Sequence, residues 1–257
     1  MQLSIKRLFL LIGSTLFLFS CRKENIIKDV KDLISPEKDN TYKGPNVTVG
    51  NGLARTFITV SHDGKPKELG IIFTHEAHSG LPATNTPYVL ELPKKALETT
   101  PFKHVALGWS ANGHPLPNNS YMGPHFDIRF FMMTNQERLA IPAPPAPEFF
   151  NLPPPGYMPA NYFPFLNVVQ LGLHWTDESF ASGAAVNHTM ILGSYAGKFT
   201  FVSPIVTQTE LASGQRFSVA YAQPRFFAEH GYYPTRYNIY EDDKGSHYVT
   251  LSHFVWR

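Results

Sequence analysis

After its first 45 residues the chain predicts a single all-β domain, a sandwich or barrel-like fold with one long proline-rich loop and at most short helices. Three observations lead there. Short apolar runs recur with a period of two, between clusters of Gly, Asn, Asp and Pro that make turns. No repeat of fixed period is visible, and many short strands with Gly, Asn and Pro turns argue for one sandwich or barrel. Ile141 to Pro164 holds nine prolines in twenty-four residues, a density that excludes helix and central strand alike.

Along the chain, Ala54–Ser61 reads as a strand closed by an Asp63-Gly64 hairpin turn and answered by Leu69–Thr74. Tyr88–Leu92 is a strand, Lys94–Glu98 one helical turn, and His104–Trp109 and Pro124–Met133 are strands around a turn-rich loop. Asn135 to Arg138 has the composition of a short capped helix. The proline-rich loop is expected to pack through Phe149, Phe150, Tyr157 and Tyr162. Asn167–Trp175 reads as one strand, and Ala185–Gly193 with Lys198–Val202 as a hairpin through Tyr195-Ala196-Gly197. Gln215–Gln223, Tyr237–Tyr240 and Tyr248–Phe254 complete the set.

The amino terminus is of another kind. Lys6 and Arg7 precede an apolar run, Leu8 to Phe19, shorter than the roughly 20 residues that span a bilayer. The run ends in Leu18-Phe19-Ser20-Cys21, which resembles a bacterial lipobox and implies cleavage before Cys21 and acylation of its thiol. Residues 1–20 are then a lipoprotein signal peptide, 21–45 a lipid-attached tether and 46–257 the folded domain. The expected location is the bacterial cell envelope, with the membrane as partner through Cys21.

Cys21 is the only cysteine, so neither a disulfide framework nor a thiolate metal site is available to the domain. The formal charge of +2 falls to near zero once Lys6 and Arg7 leave, and charges are interspersed. That argues against a nucleic-acid partner.

Chemistry concentrates in Pro101–Phe131, PFKHVALGWSANGHPLPNNSYMGPHFDIRFF, which carries His104, His114 and His125. Beyond Pro124 the alternation puts His125, Asp127 and Arg129 on one strand face and Phe126, Ile128 and Phe130 on the other. His125 and Asp127 stand two residues apart, the spacing with which a strand offers two ligands to a first-row ion. His104, His114 and His174 can approach from neighbouring elements. The bland alternative makes His104 and His174 core-edge histidines bonded to backbone and Asp127–Arg129 an ion pair. Gly108-Trp109-Ser110-Ala111-Asn112 lacks the closing glycine and following helix of a nucleophile elbow. His75, Glu76 and His78 could also bind a metal, but they read as exposed loop and chance clustering explains them better, while His230, His247 and His253 read as structural.

Several motifs together resemble an exported bacterial family of unknown function. They are Pro101-Phe102-x-His104, Gly113-His114-Pro115, Tyr121-x-x-Pro124-His125-Phe126-Asp127-x-x-Phe130-Phe131, Leu171-Gly172-x-His174-Trp175-x-Asp177, Gly193-Ser194-Tyr195-x-Gly197-Lys198 and Tyr233-Pro234-Thr235-Arg236-Tyr237. The resemblance implies a β-rich, secreted or lipid-anchored protein whose polar signature falls on His104, His114, His125, Asp127, His174 and Asp177. Where the family shows His-Phe-Asp-x-His-Phe, this chain has Arg129 in place of the second histidine. A guanidinium cannot ligate a cation but can receive an anion.

The resulting expectation is a lipid-anchored β domain with a divalent transition metal, zinc by preference, at His104, His114, His125, Asp127 and His174, bordered by Arg129 and Asp177. Two rivals stand beside it. One is a metal-dependent hydrolase or oxygenase-like enzyme built on the same residues. The other is a non-catalytic binding or assembly module whose proline-rich segment grips a protein partner or a second copy.

Overall fold

A computed structural model describes residues 38–114, 121, 123–178 and 186–257. Cys21 and the signal-like segment lie outside the described residues. The compact unit spans Asp39–Arg257.

Its strands, in chain order, begin with β1 (Asn40–Lys43), β2 (Val47–Val49), β3 (Gly52–Val60), β4 (Pro66–Phe73) and β5 (Thr86–Glu91). Helix α1 (Lys94–Thr99) leads to β6 (His104–Ser110) and β7 (His125–Phe131), and α2 (Asn135–Leu139) follows. Then come β8 (Tyr162–Val168), β9 (Gly172–Asp177), β10 (His188–Tyr195) and β11 (Lys198–Thr207). Helix α3 (Gln208–Ala212) precedes β12 (Phe217–Ala220), β13 (Tyr232–Glu241) and β14 (His247–Trp256). Single 3-10 turns cover His75–His78 and Pro147–Phe149.

All strand pairings are antiparallel, as two seven-stranded sheets. The first runs β1-β3-β4-β14-β13-β12 with β2 added on β3, and the second runs β5-β6-β7-β11-β10-β9-β8. The all-β sandwich with short helices read from the sequence is therefore what forms.

The inward faces are those the period of two marks as apolar. Ile58, Leu69, Ile71, Phe73, Val249 and Leu251 of the first sheet share one buried cluster with Val105, Leu107, Phe126, Ile128, Phe130 and Val202 of the second. The Phe73 and Phe126 rings meet across the two sheets with centroids 5.3 Å apart. A smaller cluster of Ala106, Tyr121, Phe131, Ile191, Phe201 and Ile205 packs on the outer face of the second sheet. That face is the one carrying His125, Asp127 and Arg129, so both sides of β7 are covered.

Local chemistry explains the joints. Ala196 (φ 49°) and Gly197 (φ 77°) turn the β10–β11 hairpin with positive φ at both central residues, the twist that a two-residue loop requires. Thr134 caps α2 reciprocally with Glu137.

Four expectations are corrected. The stretch read as one strand, Asn167–Trp175, is two, because Gln170 between β8 and β9 adopts φ 60° and Gly172, which opens β9, adopts φ 93°. Pro164, placed in the loop, lies inside β8. It is tolerated there because β8 is the sheet's edge and one row of its N–H groups has no ladder partner to lose. Phe149 and Tyr162 anchor the proline-rich segment in the core, but Phe150 is 69% exposed and anchors nothing within the described residues. Ordered structure also begins before Asn46, since β1 pairs with β3 from Asn40↔Val60 to Lys43↔Phe57.

Candidate metal centre

Register decides which histidines meet. β6 and β7 pair so that Ser110 faces His125, Gly108 faces Asp127, Ala106 faces Arg129 and His104 faces Phe131. His125 sits at the end of β7 nearest the loop that carries His114, and Tyr121 folds back to bridge His114. The His114 and His125 rings meet edge to face with centroids 4.9 Å apart. The Tyr121 ring lies 5.2 Å from His114 and 5.6 Å from His125. One ligand atom from each of His114, His125 and Asp127 falls within a mutual 4.8 Å.

The His125 side chain is wholly buried. Its Nδ1 donates to the Gly123 carbonyl at 2.8 Å, which fixes the tautomer and leaves the lone pair on Nε2. Nε2 is buried and has no hydrogen-bond partner among the described residues. It stands 3.7 Å from Asp127 Oδ2, too far for a hydrogen bond. Two donors bound to one tetrahedral ion at about 2.1 Å are about 3.4 Å apart. The gap is thus close to what a shared first-row ion needs.

Asp127 is 4% exposed. Burial pushes its carboxyl upward, but Arg129 and the neighbouring imidazoles outweigh that and hold it below the ordinary carboxylate range. Arg129 reaches Oδ1 at 3.2 Å. Oδ2 faces His125 and receives a long 3.5 Å contact from the Ser110 hydroxyl. One oxygen is thereby committed to the guanidinium and the other is available to a cation. Gly108 makes the fold-over possible, for a Cβ there would stand 3.0 Å from an Arg129 terminal nitrogen and 3.5 Å from Asp127 Oδ2.

Other residues expected at the site are placed elsewhere. His104 lies six residues along β6 from the partner of His125, about 20 Å of strand. Its ring stacks flat on Phe131, with centroids 5.1 Å apart, and its Nδ1 donates to the Met133 carbonyl at 3.1 Å. Burial, reinforced by Arg138, lowers its pKa to about 4. His104 therefore stands apart from the group of three, with its own Nε2 buried and without a hydrogen-bond partner among the described residues.

His174 lines the same buried face from β9 without joining the group of three. It packs against Phe201, with centroids 5.1 Å apart, and donates to the Gly172 carbonyl at 3.3 Å. Its pKa falls to about 3 through burial and then Arg129, against the pull of Asp127. Asp177 is half-buried at the end of β9, where its charge helps burial raise the Tyr121 phenol. It borders the cluster and supplies no ligand to it.

In the sequence Gly108 and Ser110 belong only to the dismissed nucleophile elbow, and nothing there links them to Asp127. Their roles follow from an antiparallel β6–β7 register that the strand assignments allowed but did not specify.

Over residues 61–109 the chain is similar to a family model named TTHB210-like, described as hypothetical protein TTHB210. The matched stretch ends before His114, His125 and Asp127. No curated protein matches the chain, and no solved structure does.

Proposed function

We propose that this chain is an exported, lipid-anchored β-sandwich that binds one divalent transition metal ion, with zinc as the reference ion, through His114, His125 and Asp127. The observation that carries the reading is His125 Nε2, a buried lone pair aimed toward Asp127 with no hydrogen-bond partner among the described residues. An orphaned buried acceptor costs about 1–3 kcal/mol, and a cation shared with Asp127 offsets that cost. Imidazole and carboxylate donors without thiolate suit zinc and its first-row neighbours.

Zinc retained per chain after equilibrium dialysis tests the site. His125→Ala should lower the retained zinc by one ion per chain, and His230→Ala, at an exposed position, should leave it unchanged. Equal zinc in the parent and His125→Ala would refute the site.

A second reading, a metal-dependent hydrolase, is favoured by Arg129. Three protein ligands leave a fourth position, and a divalent ion beside the mutually neutralised Arg129–Asp127 pair would give the pocket an excess of positive charge suited to an anionic substrate oxygen. Lewis-acid activation is what the ion would supply there. Turnover of carboxylic or phosphoric ester substrates, lost in His125→Ala, would distinguish the enzyme from a binding protein.

The membrane attachment rests on Leu18-Phe19-Ser20-Cys21 behind an apolar run. Cys21→Ser should move the protein from the membrane fraction to the soluble exported pool and abolish acyl labelling. Unchanged membrane association would dismiss lipidation.

A further inference from the structure

A second group of histidines lies where β4 leaves the first sheet. The 3-10 turn His75–His78 follows β4, and β14 starts at His247, the register partner of Phe73. The rings of His78 and His247 meet edge to face with centroids 4.3 Å apart. Those of His75 and His247 stack at 24°, with centroids 6.2 Å apart. His247 is only 2% exposed.

Hydrogen bonding leaves this group in deficit. His247 Nδ1 and both ring nitrogens of His78 are buried without a hydrogen-bond partner among the described residues. Buried polar nitrogens are normally satisfied, and three unsatisfied ones in contact point to a ligand for them. Two imidazoles on one tetrahedral zinc hold their ring centroids about 5 Å apart, between the two separations found here.

We propose that His75, His78 and His247 form a second site for a divalent first-row transition ion, independent of the one at His114, His125 and Asp127. His247 is buried, and His78 is half-buried with both ring nitrogens shielded from water. His75 is exposed and completes the set by turning about its side-chain bonds. All three donors are imidazoles, a set suited to zinc, copper or nickel and unsuited to calcium or magnesium. The ion would clamp the turn after β4 to the start of β14, so its binding energy adds to folding stability.

Equilibrium dialysis of the full chain against zinc at pH 7.5 tests this in a His125→Ala background, where the first site has lost a ligand. That chain should still retain one zinc, and adding His78→Gln should remove it. Losing a supporting partner of a metal ligand already weakens binding by about 10–100-fold, so losing a ligand through His75→Ala should weaken it by at least about tenfold. His75 is exposed, so that variant tests the site without threatening the fold. Cobalt(II) added to His125→Ala should give the visible absorption of a tetrahedral site, absent with His78→Gln. A His125→Ala chain that holds no zinc, or holds it equally with His75→Ala and His78→Gln, overturns the second site. A single parental ion that survives His125→Ala and leaves with His78→Gln upholds it while refuting the first.

Discussion

Arg129→Met is the sharpest perturbation of the first site. The guanidinium and the Asp127 carboxylate are 3.2 Å apart, with side chains only 11% and 5% exposed. Truncating one partner of a buried pair leaves the other charged and unsolvated, which typically costs about 3–5 kcal/mol. A second route bounds the same number. If Asp127 instead takes a proton at pH 7, a carboxyl with an ordinary pKa near 4 costs about 4 kcal/mol to protonate. Both estimates put the loss at about 4 kcal/mol. Urea unfolding at pH 7 in the presence of a chelator measures it directly. Asp127→Leu in the same chain should recover most of the loss, because no buried charge then remains. Zinc should stabilise Arg129→Met more than the parent, since the ion replaces the missing positive charge and no longer meets a repelling guanidinium. A variant that unfolds within about 0.5 kcal/mol of the parent, or gains no more from zinc, would refute this account of the pocket's electrostatics.

Two further outcomes concern stability. Gly193→Ala should cost at least about 3 kcal/mol, because the new Cβ would fall within the buried Phe201 ring; a urea midpoint equal to the parent's would show that the ring can move aside. Acid should destabilise the domain between pH 6.5 and about 4. There the unfolded chain protonates His104 while the folded chain, with its pKa lowered to about 4, does not, so stability is full above pH 6.5 and falls by up to about 3 kcal/mol as pH drops. His174 acts in the same direction. A His104→Gln chain should show a shallower decline over that window, and identical slopes would exclude His104 as a contributor.

Most of the strands, the hairpin turns and the faces of β7, though not β1, β2 or β8, were legible in the sequence because they depend on neighbours only a few residues apart. Alternation from His125 to Phe131 is a property of the backbone pleat, Ala196-Gly197 of local φ, and the short helix at Asn135 to Arg138 of a single turn. Likewise, His125 and Asp127 share a face in any strand.

Tertiary structure decided the rest. Alternation shows that a strand has two unlike faces, and it is silent on whether the polar one meets water. Here Tyr121, Phe131, Phe201 and Ile205 cover it, which turns Asp127 and Arg129 from surface charges into a buried pair. Register selects the ligands, since pairing Ser110 with His125 brings the His114 loop close and strands His104 at the far end of β6. His247 joins His75 and His78 only because β14 lies beside β4 in the first sheet. Those are contacts between segments far apart in the chain, set by how the two sheets order their strands, and no local periodicity encodes them.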